Sequence, residues 1–101
     1  MDRFVLTARL KPGGYRQVQT LLAEHSALST GDLEKAFDRH AIFLSETEVI
    51  FLFEGEGADE SVRALFDDPV RSAVIGHWLP LFDGPLHRAA EAYLWERQGA
   101  A

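Results

Sequence analysis

Apolar and polar positions alternate at the start of the chain. Phe4, Leu6, Ala8 and Leu10 are separated by Val5, Thr7 and Arg9, a period of two that predicts a strand with one strongly apolar face and one mixed face. Lys11-Pro-Gly-Gly14 ends it. From there the period changes: Tyr15, Val18, Leu21 and Leu22 recur at helical spacing as far as His25, with Arg16, Gln17, Gln19 and Thr20 between them. The small and polar run over 26–30 is read as the end of that helix, after which Thr30 or Asp32 caps a second short helix through Leu33, Ala36 and Phe37.

The stretch from His40 to Phe53 behaves differently. Two short runs, each apolar at consecutive positions, flank a four-residue polar turn. Strands of that kind are buried on both faces. One layer of helices covers one face, and a chain of this length does not supply a second layer, so the hairpin predicts a second subunit. After Gly55-Glu-Gly57, the spacing of Val62, Leu65 and Phe66 predicts a helix with Asp59 and Glu60 at its positive N-terminal end. Pro69 opens a further helix, Pro69 to Trp78, with Val70, Val74, Ile75 and Trp78 as its buried stripe. Pro80 and Asp83-Gly-Pro85 terminate it. In the last segment Ala89, Ala90 and Ala92 favour helix and Tyr93-Leu-Trp95 favours strand. A strand from Glu91 onward completes the sheet and is the reading adopted.

The resulting order β-α-β-β-α-β is the ferredoxin-like split unit, an α+β fold with helices on one face of a four-stranded antiparallel sheet. Its other face is expected to carry Val5, Thr7 and Arg9, with Phe43, Phe51 and Phe53 from the hairpin and Tyr93 and Trp95 from the last strand. A bare apolar face of that kind marks an interface or a ligand groove.

Composition narrows the classes. With 101 residues the chain is one domain, residues 1–97, followed by a flexible tail, 98–101. A net charge of −6 with scattered basic residues disfavours a nucleic-acid footprint. There is no cysteine, hence no disulfide framework and no thiolate site, as in a reducing cytoplasm. The N-terminal apolar run is too short for a signal or a membrane span. A soluble cytoplasmic protein, unprocessed and without a membrane partner, is the expectation.

The strand end Arg9-Leu-Lys-Pro-Gly13, the hairpin over Ala41 to Phe53, and Asp67-Asp-Pro-Val70 leading to His77-Trp-Leu-Pro-Leu-Phe82 together resemble the dimeric α+β barrel superfamily. Within it the chain looks most like the SchA/CurD-like proteins found with polyketide-pigment gene sets, and more distantly like the L-rhamnose mutarotases. The resemblance implies a homodimer with two sheets face to face around a cavity, and a polyketide-like or aromatic ligand. Mutarotase chemistry does not carry over, because the first helix presents Val18 and Leu22 where that family offers a Tyr and a His. Haem monooxygenases share the barrel and use a pocket His, but nothing in this sequence selects one.

Candidate chemistry follows from the mixed face of the first strand. Arg9 and Thr7 place a guanidinium beside a hydroxyl, which suits a carboxylate, phenolate or enolate; the plainer reading is a charge at a strand end. His77 adjoins Trp78 and is either a general acid or base at the rim or a surface histidine. Thr7, Phe43, Phe51, Tyr93 and Trp95 are the candidate substrate contacts, although aromatic strand residues also serve packing. The four histidines show no ligand spacing, so no metal and no cofactor are expected. Two readings remain: a homodimeric barrel binding a hydrophobic small molecule, with cofactor-free cyclase, isomerase or monooxygenase activity left open, and a non-catalytic module whose aromatic face serves only dimerisation.

Overall fold

Strand β1 (Asp2–Arg9) keeps the alternation of its sequence: Phe4, Leu6 and Ala8 are buried, while Val5 and Thr7 are half-buried on the opposite face. The computed structural model describes residues 2–69 and 76–97, with backbone alone for 25–35. Helix α1 (Gly14–Ala36), the hairpin of β2 (Arg39–Leu44) and β3 (Glu48–Gly55), helix α2 (Ala58–Asp67), a 3-10 turn at Leu79–Leu81 and strand β4 (His87–Ala89) follow in order. The strands form one antiparallel sheet, β2-β3-β1-β4, so the fold is α+β and ferredoxin-like as expected.

Both helices serve the same face. Ala58 and Val62 of α2 pack with Phe4, Leu6, Phe37 and Phe53, and Val18 of α1 packs with Ala8, Leu10, Val49 and Phe82. Phe51 touches both clusters, and its ring meets Trp78 edge-on at 5.2 Å. This burial supplies most of the driving force for folding.

The helix break expected near residue 26 is absent. Helix α1 runs unbroken for 23 residues, because nothing in 26–30 is a strong breaker, and extending an existing helix is cheaper than nucleating a second one. The expected helix Pro69 to Trp78 falls largely on positions 70–75, outside the described residues, as does the tail 98–101. Helix α2 starts as read, with Asp59 and Glu60 in its first turn. Its preceding residue, Gly57, has φ +66° and donates its N–H to Asp2 Oδ2 at 2.9 Å.

The hairpin register corrects the expected faces. Ser45 Oγ accepts the Glu48 N–H at 3.0 Å and closes a four-residue turn between the Leu44↔Val49 pair. An even-numbered loop pairs odd positions of one strand with even positions of the other. Phe43 therefore lies opposite Ile50, on the uncovered face, whereas Phe51 and Phe53 lie opposite Ile42 and His40 on the helix-covered face.

The last strand also differs. It lies at His87–Ala89, not from Glu91 onward. Lys11 N to Leu81 O at 2.9 Å, the Leu10↔Phe82 bridge and Asp83 N to Arg9 O at 2.7 Å fasten the returning chain to the end of β1. The register then runs Thr7↔His87, Leu6↔Arg88 and Val5↔Ala89. Continued at that register, Asp2, the first residue of β1, would stand opposite Ala92. Tyr93 and Trp95 are instead 81% and 70% exposed in an irregular segment.

Candidate functional site

A groove of about 660 Å³ opens between β1, β4, α2 and the Leu79–Leu81 turn, within the usual size range of small-molecule sites. Its apolar surface is drawn from three parts of the fold. Phe4 and Leu6 project from the helix-facing side of β1, Val62 and Phe66 from α2, and Leu79 and Leu86 from the chain that returns to β4. Phe66 and Leu79 stay 39% and 55% exposed. The amphipathic spacing of α2 accounts for this: Val62 reaches the core, and Phe66, one turn on, overhangs the groove.

Arg63, Asp67, His87 and Arg88 supply the polar lining. Arg88 stands opposite Leu6 in the ladder, so the pleat turns its side chain to the helix side. Its guanidinium carbon lies 4.5 Å from the centre of the Phe4 ring, a cation–π contact. Nη1 of Arg88 stands 3.6 Å from Asp59 Oδ2, and Nε of Arg63 stands 3.2 Å from Asp59 Oδ1. The second approach lacks hydrogen-bond geometry, so Asp59 Oδ1 is buried without a hydrogen bond among the described residues. These pairs are substantially exposed and contribute little to stability.

The opposite face carries the first-strand candidates. Thr7, Arg9 and Phe43 do share it, with Val5, Ile50 and Leu52. Arg9 is exposed and stands opposite Glu48; Phe43 is 54% exposed. Across the far end of this face Arg39, Glu54 and Arg3 stand in register, and Arg3 continues to Glu91 at 3.0 Å and Glu96 at 3.6 Å. The face thus has an apolar middle flanked by charged residues of both signs.

His77 does not join Arg9. It is exposed and belongs to the segment whose Trp78 packs on Phe51, across the sheet from the Arg9 face. Phe51 is a core residue, and Tyr93 and Trp95 stand clear of the sheet. His40, on β2, is part-buried and its ring is held by neighbours. Burial lowers its pKa below the ordinary 6.5, opposed by its hydrogen bond with the Leu52 carbonyl. Nδ1 lies 2.9 Å from that oxygen, and the ring stacks on Phe53 at 4.4 Å. With Nδ1 donating to the carbonyl, the neutral tautomer is fixed.

None of the sequence-selected site residues lines the groove. Of the residues that do, the sequence pattern marks Phe4, Leu6, Val62 and Phe66 as apolar faces of their elements and leaves Leu86, His87 and Arg88 in an undecided segment. The signal that could have found Arg88 is a charge at an inward strand position, visible only once β4 is placed. Among the described residues no cluster of three or more His, Asp or Glu side chains is arranged to hold a metal ion, and no helix is long and apolar enough to cross a membrane. Comparison with family models and with curated proteins finds no match, so the groove and the uncovered sheet face are what the function must be argued from.

Proposed function

We propose that the chain is a homodimeric barrel of the dimeric α+β type, akin to the SchA/CurD-like proteins, and that each copy binds a hydrophobic, aromatic or polyketide-like small molecule. The observation that carries this reading is the groove itself. It offers about 660 Å³ with an apolar floor and walls and a few polar groups on its lining, the usual composition of a small-molecule site. Such a groove acts on its occupant by excluding water and fixing orientation, which suits cofactor-free cyclisation, isomerisation or oxygenation.

The uncovered sheet face supports the dimer. Val5, Ile50, Leu52 and Phe43 form its middle, an apolar patch of the kind a second copy would cover, with charged residues at its rim. A dimer formed through this face leaves the groove free, because the two lie on opposite sides of the sheet. The exposed Phe43 also favours a second reading, in which assembly is the whole role of the chain.

Two measurements on the wild-type chain test the proposal. Light scattering is expected to give about twice the 11.3 kDa chain mass at micromolar concentration. Titration with N-phenyl-naphthylamine, a neutral aromatic probe, is expected to saturate at one molecule per chain and to weaken in Phe66→Gln. A dimer that binds no probe leaves the assembly reading; a monomer removes the barrel.

A further inference from the structure

We infer that the groove selects organic anions, with Arg88 receiving the anionic group of a planar aromatic ligand whose body lies along Phe66 and Leu79. The inference rests on the proposed groove and adds the chemical class of its occupant. Its starting point is a cation beside an apolar groove. Arg88 is exposed on the edge strand β4, and its position opposite Leu6 turns its side chain to the groove side of the sheet.

Packing alone does not account for that arginine. Its ion pair with Asp59 is 3.6 Å long, beyond hydrogen-bond range. Asp59 is shared with Arg63, one helical turn along α2, and one of its oxygens still lacks a hydrogen bond. Arg88 is therefore held in place by a ring and a loose carboxylate contact rather than locked into a bidentate pair. The contact over Phe4 holds the guanidinium carbon 4.5 Å from the ring centre and uses no N–H donor, which leaves N–H groups to pair with a planar acceptor.

The surroundings set the rest of the ligand. Phe4 lies under the guanidinium, and Phe66 and Leu79 present apolar surface that is open to solvent in the free chain. A flat ring system laid against them removes that surface from water while its carboxylate, phenolate or sulfonate meets Arg88. Asp67 on the same lining carries a negative charge, so the anion is expected at the β4 side of the groove, beside Arg88, and not at the end of α2. A neutral aromatic of the same shape keeps the apolar contacts and lacks the charge-assisted hydrogen bonds.

Two probes with one ring skeleton separate these terms: anilinonaphthalene sulfonate, which carries an anion, and N-phenyl-naphthylamine, which does not. Both are titrated by fluorescence into the wild-type chain, into Arg88→Met, which keeps much of the stem, and into Phe66→Gln, with melting temperatures confirming the fold. Arg88→Met is expected to weaken the sulfonate about tenfold or more and to change the neutral probe less than about twofold. Phe66→Gln weakens both. In the wild-type chain, raising salt from about 50 to about 500 mM lowers the affinity for the sulfonate and not for the neutral probe. If both probes bind and respond to Phe66→Gln but Arg88→Met affects them equally or not at all, the anion selectivity is overturned and the groove stands. A salt-independent sulfonate affinity overturns it as well, without recourse to a variant. If neither probe binds, or if both ignore Phe66→Gln, the groove reading itself fails and the inference falls with it.

Discussion

Replacing Phe51 and Phe43 separately by alanine distinguishes the two faces of the sheet. Phe51 packs against both core clusters and meets Trp78 at 5.2 Å. Truncating a well-packed phenylalanine costs about 3 to 5 kcal/mol, from lost transfer energy plus the cavity left behind. Phe51 is only half-buried and Trp78 stands at its edge, able to settle partly into the space. The lower end, about 3 kcal/mol, is therefore expected. With a urea dependence of about 1 to 3 kcal/mol per molar for a small domain, the midpoint falls by about 1 to 3 M. Phe43→Ala acts elsewhere. Phe43 is 54% exposed on the uncovered face, so its loss leaves the fold of each chain nearly unchanged and, under the proposed dimer, weakens association. If the chain dimerises through this face, the unfolding midpoint of Phe43→Ala falls and becomes less dependent on protein concentration than that of the wild-type chain, because a weaker dimer adds less mass-action stabilisation. Urea titrations at two protein concentrations read both effects. A loss below about 1 kcal/mol for Phe51→Ala, or a larger loss for Phe43→Ala at high dilution, would refute the assignment of faces.

Other outcomes follow from single contacts. Because burial holds the His40 pKa below 6.5, the fold favours the neutral ring. Its contribution is complete above that value and is lost as the pH falls from 6.5 toward the lowered folded pKa. His40→Phe should flatten the dependence of the urea midpoint between about pH 7.5 and pH 5.5, and an unchanged slope would contradict the assignment. Gly57→Ala should cost about 1 to 2 kcal/mol, since φ is +66° and an added Cβ would meet nothing within 4 Å, leaving backbone strain as the cause. A neutral Gly57→Ala would mean that this helix entry relaxes. Removing residues 91–97 deletes the Arg3 pairs with Glu91 and Glu96; these are exposed, so the melting temperature of the domain should move by only a few degrees.

Periodicity made most of the fold legible, and its failures have identifiable causes. The strict alternation of β1 and the helical spacing after Gly57 translate directly into buried faces. The hairpin was recognisable as a hairpin, but its apolar runs give no parity signal, and only the even turn at Ser45 decides that Phe43 and Phe51 part company. Strand β4 carries almost no strand pattern in Leu86-His-Arg-Ala89. It exists because the chain around Leu81, Phe82 and Asp83 is zipped to the end of β1, a tertiary cause invisible to local propensity. Tyr93 and Trp95 looked like strand residues for the opposite reason: their type is right, but no strand lies beside them. The groove was missed with β4, since Arg88 becomes a candidate only when its inward position is known.

The claim that the site is the groove and not the bare sheet face is tested most directly by mapping amide chemical shifts of the labelled protein during titration with N-phenyl-naphthylamine. The account predicts shifts centred on Phe4, Leu6, Val62, Phe66, Leu86 and Arg88, saturating at one probe per chain. Shifts centred on Phe43, Ile50 and Leu52, or no saturable shifts at all, would contradict it.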